Sequence, residues 1–510
     1  MSAVSLWAER PFRLLFVART ASLLGSSAAP VALAFAVLGR PGSGPGDLGC
    51  VMASYAVGRV GFVLAGGVLA DRWSRRGTMV LSDLCAFSAQ AVTAALVVGG
   101  APTACLAAAA FAGGAAGGLF LPAARGLVAE LLPPERLHGA NSALRIAQNA
   151  CAVLGASAGG AGVGLLGPGP VLAFDALTFA ASALALCGVG RGPGPRAAAP
   201  PRPAAPPRAG AESGAGAGPG AGVAGGRGGR LIGELRLARR EFGARQWLWV
   251  AVAQYALINL CFNPAVNVLG PASFQRRWGA DAALTWSLAV TSLAVGTGLG
   301  GLAALGVRPR RPMRTATALT LCFVPPFLCL GGEAPLWSVC AAMLLAGCAQ
   351  QVYEVLWETS VQTHVPLGVI SRVTSYELIG SFALGPVGLA LAGPVAAAAG
   401  ARRTQVAAGL LVALSAVTAL LSPSIRSLRA GGPARGGAPG PAAAAAAGTP
   451  VHETGGPLDA GEPQEPAGRA VLPRPRQRVR HHHQGAAVRG VGRFVRRPDR
   501  PARGARDQAP

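Results

Sequence analysis

The sequence predicts an all-α membrane protein with twelve transmembrane helices in two six-helix pseudo-repeat halves. Three observations predict it. Hydrophobic residues make up 51% of the 510 positions and charged residues only 13%, where a soluble domain carries about 25% charge. The apolar residues gather into twelve runs of near-membrane length, and a helix needs about 20 of them to cross about 30 Å of hydrocarbon. Two separate loops of the first half are also each echoed in the second, at a shared offset close to 234 residues. This pattern excludes an ordinary cytosolic enzyme and a wholly disordered chain. A soluble helical core is excluded as well, because the runs have almost no polar face.

The first six runs cover Phe12–Leu38, Gly49–Ala70, Met79–Gly100, Thr103–Pro122, Ala143–Leu166 and Val171–Val189. The second six cover Leu248–Leu269, Leu284–Leu305, Thr315–Leu330, Leu336–Val361, Tyr376–Ala399 and Val406–Leu421. The ninth is the weakest, being short and interrupted by Pro325 and Pro326, which a membrane helix tolerates where neighbours satisfy the freed carbonyls. The first run is too long for a cleavable signal peptide.

Orientation follows from the arginines, which supply all 45 basic residues. With the N-terminus inside, the short cytoplasmic loops hold Arg72, Arg75, Arg76, Arg125, Arg136, Arg308, Arg310, Arg311, Arg314 and Arg372. The outer loops hold only Arg40, Arg276, Arg277, Arg402 and Arg403. That asymmetry places both termini in the cytoplasm and the chain in the inner (plasma) membrane.

The halves are expected at 1–190 and 246–429. Between them, 191–245 is a Pro/Ala/Gly-rich linker ending in a short amphipathic basic helix from Leu231, suited to an anionic membrane face. The tail, 430–510, is low-complexity and rich in Arg, Pro and Gly. It has neither a folded motif nor interleaved aromatics for nucleic acid, and His481–His483 are given no role. The ten cysteines are scattered through apolar runs without a CxxC pair and read as small buried apolar residues, with no disulfide framework and no metal site.

The echoing loops locate the repeat. Gly66-Gly67-Val-Leu-Ala-Asp71-Arg72-Trp-Ser-Arg75-Arg76 follows the second run, and Gly300-Gly301-Leu-Ala-Ala-Leu-Gly-Val-Arg308-Pro-Arg310-Arg311 follows the eighth. Leu132-Pro133-Pro134-Glu-Arg136 precedes the fifth, and Val365-Pro366-Leu-Gly-Val-Ile-Ser-Arg372 precedes the eleventh. Six spans, a linker and six more are the pattern of parallel halves that rock about a central cavity.

The stretch Gly67 to Arg76 resembles motif A of the major facilitator superfamily, with Ser74 in place of the usual glycine. Pro122-Ala-Ala-Arg125, Leu137-His-Gly-Ala-Asn141, Asp175-Ala-Leu-Thr178-Phe179, Val268-Leu-Gly-Pro271 and Trp357-Glu358-Thr359 resemble its drug and siderophore exporter branch. The resemblance covers residues 5–429. It implies that Asp71 caps the N-terminus of span eleven, where the helix dipole favours an anion, and that Arg72, Arg75 and Arg76 hold the loop to carboxylates and headgroups. Together they would latch the inner gate when the cavity opens outward; a plain positive-inside loop is the competing reading. Gly66 and Gly67 would allow close packing. Gly155-Ala156-Ser-Ala-Gly159-Gly160 resembles the antiporter motif C, with Ala156 where that motif has proline, and span four lacks the arginine of motif B.

Charges inside spans are costly and are functional candidates by default. Arg59 lies about 16 Å above the inner end of span two, too deep to reach water comfortably. It is expected to face the cavity and meet a substrate anion or a carboxylate; a buried structural pair is the alternative. Asp83 could partner Arg59 or motif A. Arg19 is shallower, so snorkelling competes with function. Glu354 and Glu358 stand four apart on one face of span ten and could carry a proton between them; Glu354 is the deeper, and Glu358 could simply be solvated. Helix capping explains Asp175, near the outer end of span six, as well as function does, and the helix dipole alone explains Glu377 at the start of span eleven.

The expected function is secondary active transport by alternating access, namely proton-coupled efflux of an amphiphilic small molecule such as an antibiotic, drug or siderophore. A large apolar cavity with few charges suits such cargo. Uptake of a small nutrient and a non-transporting scaffold or sensor are the alternatives. No enzymatic activity, cofactor or nucleotide loop is expected. The partners are the substrate, protons and lipid, with no nucleic acid, and the chain is expected to be a monomer.

Overall fold

The computed structural model describes residues 7–189, 243, 245–365 and 384–429. Among them it holds no strand and twelve helical rods in two sets of six. The first set is α1 (Arg10–Leu38), α2 (Pro45–Arg72), α3 (Arg75–Val98), α4 (Thr103–Leu131), α5 (Pro134–Leu166) and α6 (Pro168–Gly188). The second begins with α7a (Gln246–Pro264), a π turn (Ala265–Leu269) and α7b (Gly270–Trp278), followed by α8 (Ala282–Gly306). Next come α9a (Pro312–Leu319), a 3-10 stretch (Thr320–Phe323) and α9b (Val324–Gly331). α10 (Leu336–His364), α11 (Leu384–Ala399) and α12 (Ala401–Leu421) complete it. The linker from 191, its basic helix, the first part of span eleven including Glu377, the Arg372 loop and the tail from 430 lie outside the described residues.

The helices run longer than their apolar runs because polar first and last turns extend past the hydrocarbon. The irregular stretches sit beside prolines. The 3-10 stretch of the ninth span ends where Pro325 and Pro326 enter, since neither can donate to the preceding turn, and the span continues as helix through α9b. The π turn of the seventh span follows Pro264.

Large apolar side chains point outward along most rods: Leu165, Leu184, Leu302, Leu305, Leu410 and Leu414 are all exposed. The interior is lined with Ala, Gly and Ser, which let backbones approach as membrane helices require. The α2–α4 contact is an example. A Cβ on Gly66 would strike the backbone of Leu119, and one on Gly114 would strike that of Tyr55. The α8–α10 contact repeats it, with Gly300 on Cys348 and Gly347 on Leu293. Gly66 and Gly300 are the pair the sequence echo matched.

The repeat also governs the turns at one end of the bundle. Ala101 N–H donates to Leu96 O at 2.9 Å, and Ala334 N–H to Cys329 O at 2.9 Å. Gly167 and Gly400, which open α6 and α12, are both left-handed at φ 84° and 86°. Arg40 donates to Ala101 O at 2.5 Å, and Arg277 to Ala334 O at 2.7 Å. Each half thus pins its third interhelical turn with an arginine from its first.

At this same end one apolar core joins the halves. It contains Phe35 of α1, Val51 of α2, Phe274 of α7b, Trp286 of α8 and Leu389 of α11. At the opposite end the cores are separate: Phe12, Met79 and Leu127 belong to the first half alone, and Trp247, Met313 and Trp357 to the second alone. The bundle is closed at the Arg40 end and, among the described residues, has no buried core bridging the halves at the Trp73 end.

The cysteine expectation needs correction. Cys151 is buried, but Cys50, Cys85, Cys105 and Cys187 are exposed. They sit on outward faces, where a small apolar side chain suits lipid as well as a core.

Candidate functional site

Midway along the rods, several polar side chains occur at similar depths on different helices. Glu354 of α10 is half-buried and accepts from Gln350 Nε2 at 3.3 Å. Arg145 of α5, in the other half, lies within Coulombic reach of its carboxylate, as does Glu358 one turn on. Glu358 itself is exposed. Among the described residues the two form no ion pair within 4 Å, so any attraction between the halves here acts at longer range. Sequence reasoning passed over Arg145; its place inside an apolar run was the available signal.

Span seven supplies a second feature missed at the sequence level. Asn259, Asn263 and Asn267 recur every four residues on α7a and the π turn, all half-buried. Asn263 Nδ2 donates to Asn259 Oδ1 at 3.0 Å, and Asn267 Nδ2 to Asn263 O at 3.0 Å. One turn earlier Tyr255 stacks on Tyr353, with ring centroids 5.0 Å apart. Four residues at helical spacing form one polar stripe beside the Glu354 turn.

Arg59 lies exposed on α2, without an ion pair or hydrogen bond among the described residues. Asp83 does not meet it. Asp83 is 2% exposed and accepts from Ser182 Oγ of α6 at 2.5 Å. Its charged neighbour is Arg19 of α1, whose guanidinium also lies over Phe120 at 5.3 Å. Arg19, Asp83 and Ser182 thereby tie α1, α3 and α6 together inside the first half. Asp175, also 2% exposed, caps no helix end; Thr178 Oγ1 donates to its backbone O at 2.7 Å and to its Oδ1 at 3.5 Å, with Ser26 of α1 near the carboxylate.

Motif A closes on its own half. Ser74 caps α3, its hydroxyl accepting from Gly77 N–H at 3.0 Å. That explains how serine replaces the usual glycine: it is a good N-cap residue. Arg75 donates to Gly126 O at 2.7 Å and pairs with Glu130 at 3.2 Å. Arg76 donates to Cys187 O at 2.5 Å. The loop is therefore fastened to α4 and α6, while Arg72 is exposed. Gly66 packs on α4, but among the described residues a Cβ on Gly67 would meet nothing within 4 Å. The Asp71 side chain and the start of span eleven, which the latch requires, are outside the described residues.

The glycines of the motif C-like stretch divide their work. Gly155 and Gly159 press on α1 at Leu24 and Ala28, whereas Gly160 presses on Ser287 of α8. Nearby, Ser157 and Thr291 share a hydrogen bond of 2.9 Å. Across the bundle Gly49 meets Leu389 and Gly393 meets Gly46. The closed end is thus made of α5 on α8 and α2 on α11, with backbone close to backbone.

A family model described as Major Facilitator Superfamily matches residues 15–376. Among curated proteins, the multidrug efflux pump Tap of Mycobacterium tuberculosis is 29% identical over 174 residues, which is 34% of this chain and 40% of that protein. Tap of Mycolicibacterium fortuitum is 29% identical over 199 residues, 36% of this chain and 45% of that protein. The matched stretch thus spans under half of either relative. Among solved structures, a bacterial homolog of the lysosomal transporter Spinster, in an inward-facing and occupied conformation, aligns with a TM-score of 0.61 at 15% identity. It covers 82% of this chain and 98% of that one. The nucleoside transporter NupG aligns at 0.60 and 12% identity, covering 82% and 100%. A D-xylose–proton symporter aligns at 0.59 and 14% identity, covering 81% and 98%. These likenesses are of fold.

Proposed function

The chain belongs to the major facilitator superfamily, and from that premise we propose that it exports an amphiphilic small molecule from the cytoplasm in exchange for protons. It is a multi-pass membrane transporter of small molecules, not an enzyme. The arginine-rich loops support placing the Trp73 end in the cytoplasm and the Arg40 end outside, in the plasma membrane. The cleft then faces inward, ready to load cargo. Cargo would meet the stacked Tyr255 and Tyr353, the asparagine stripe and Arg59. Aromatic faces and amides suit a bulky, weakly charged molecule, and the partial likeness to Tap supports the direction.

The observation that carries the reading is Glu354 itself, a half-buried carboxylate inside span ten that accepts from Gln350 and has Arg145 of the other half as an opposite charge at longer range. A proton on Glu354 would cancel that charge, and this is how proton entry would bias the arrangement of the halves. The Asp71 latch would act in the opposite state, when the Trp73 end closes. In everted vesicles, an imposed proton gradient should drive cargo inward, and an uncoupler should abolish it. Glu354→Gln should bind cargo in detergent as the wild type does yet lose gradient-driven accumulation at least tenfold. Accumulation in right-side-out vesicles alone would replace export with uptake.

A further inference from the structure

The closed end of the second half contains a cavity of about 190 Å³ bounded by α7b, the α9b–α10 turn and the start of α12. Gln405 of α12 lines it, is 2% exposed, and among the described residues has no hydrogen-bond partner at either Oε1 or Nε2. Leaving both ends of a buried amide unsatisfied costs about 1–3 kcal/mol or more. Arg276, Arg277 and Arg402 stand around the same cavity, with Glu333 as the one carboxylate among its lining residues. Arg277 is committed to structure. It donates to Glu333 O and Ala334 O, both at 2.7 Å, and lies 4.3 Å above the Trp278 ring. Arg276 and Arg402 are exposed and carry no ion pair or hydrogen bond among the described residues.

The internal repeat shows that the fold does not require this cavity. In the register fixed by the matching turns, Gly39, Gly100, Gly169 and Leu172 of the first half stand where Arg276, Glu333, Arg402 and Gln405 stand in the second. Leu172 is fully buried in an apolar cluster with Ala28 and Ala32. The first half seals this place with three glycines and a leucine. The second half opens it with two arginines, a glutamate and an unsatisfied glutamine. Glu333 also holds the left-handed conformation, φ 51°, that its counterpart Gly100 holds at 65°. A non-glycine residue there costs on the order of 1–3 kcal/mol.

We propose that the second half binds an oxyanion bearing a hydroxyl, of the phosphate class, in this cavity at the closed end. Arg276 and Arg402 supply the charge. Gln405 Nε2 donates to an anion oxygen, and Gln405 Oε1 accepts from its hydroxyl, satisfying both ends of the amide at once. The first turn of α12, uncapped by any side chain, adds its free N–H groups and positive dipole. A cavity of this volume admits a hydrogen phosphate ion. The phosphate and hydroxyls of a phosphatidylglycerol headgroup offer the same chemistry. Leu269, Phe274, Leu330 and Val339 belong both to the cavity wall and to the core that joins the halves. The occupant therefore binds the form in which this end is closed and shifts the population toward it. This assignment does not depend on the direction of transport.

The test uses the full chain purified in detergent at constant ionic strength. Inorganic phosphate should raise the melting temperature, sulfate, which has no hydroxyl at neutral pH, should raise it less, and chloride should not raise it. Arg402→Ala should weaken phosphate binding about tenfold in Kd, and Arg403→Ala, outside the cavity lining, should not. Gln405→Leu should melt higher than the wild type without phosphate and lose the preference of phosphate over sulfate. Reconstitution into phosphatidylglycerol rather than phosphatidylcholine discs separates the sources. Loss of the phosphate response only in phosphatidylglycerol identifies the headgroup as occupant, and a response retained in both identifies the free ion. An equal response to phosphate and chloride, or one unchanged by both Arg402→Ala and Gln405→Leu, would mean that water alone fills the cavity and would overturn the assignment.

Discussion

The two halves share a scaffold and differ in what they bury. In both, glycines bring the second and fourth helices of the half into backbone contact, and an arginine pins the third turn. Met79 and Met313, about 234 positions apart, are both fully buried. One turn further on, Asp83 corresponds by the same offset to Thr317, and the first half alone has an arginine, Arg19, near that position. The second half keeps amides instead: Gln254 donates to Thr320 Oγ1 at 2.9 Å, and the asparagine stripe runs down α7a. The repeated elements carry the architecture, so function is to be sought where the halves disagree. Arg19–Asp83, Glu354, the asparagines and Gln405 all lie at such places.

The largest effect tests what is shared. Gly114→Leu and Gly347→Leu should each abolish recovery of folded chain by size-exclusion chromatography, because neither α2 nor α8 backbone can retreat without opening its whole half. Survival of one but not the other would show that the halves do not lean equally on this contact.

The next test addresses the difference. Asp83→Thr installs the second half's residue, breaks the Ser182 hydrogen bond and removes the opposite charge near Arg19, at a cost of about 1–3 kcal/mol. Adding Arg19→Ala, which matches Ala256, should recover most of it in a double-mutant cycle read by chemical denaturation. If the double variant is no better than the single, Arg19 and Asp83 act independently and the first half is not organised around their pair.

How much of this was legible beforehand depends on what carries the information. Spans were legible because a bilayer demands about 20 apolar residues in sequence, and the repeat because Gly66-Gly67 and Gly300-Gly301 stand before arginine clusters. The interior was less so. Asp83 looked available to Arg59, since sequence gives depth along a helix but not which face meets which neighbour. Arg145 and Glu354 are about 200 residues apart, and only packing of the two halves brings their charges within reach. The Gly332-Glu333-Ala-Pro335 turn did echo Gly99-Gly100-Ala-Pro102, but without backbone angles nothing marked Glu333 as strained.

That strain gives a smaller effect of opposite sign. Glu333→Gly restores the first half's residue at a left-handed position and should stabilise the chain by about 1 kcal/mol, measured by the denaturation midpoint. No gain would mean that the Glu333 side chain contributes as much as its backbone costs.

The smallest expected change in stability comes from Gly67→Leu. Gly66 and Gly67 are adjacent in a motif whose glycines looked equivalent, yet one faces the α4 backbone and the other meets none of the described residues. A leucine at Gly67 should therefore shift stability by no more than about 0.5 kcal/mol, the range of a substitution that touches nothing. Transport is a separate matter. Among the described residues nothing fills the space beside Gly67, which lies at the Trp73 end, the end that must close in the alternate state. A leucine there should obstruct closure and slow transport by more than tenfold while leaving detergent-solubilised stability unchanged. Its counterpart Gly301 is already touched by Gln351, 3.7 Å from the added Cβ position, so Gly301→Leu should cost stability as well. Unaltered transport in Gly67→Leu would mean that this end closes elsewhere, and the motif's second glycine would be explained by helix packing in neither state.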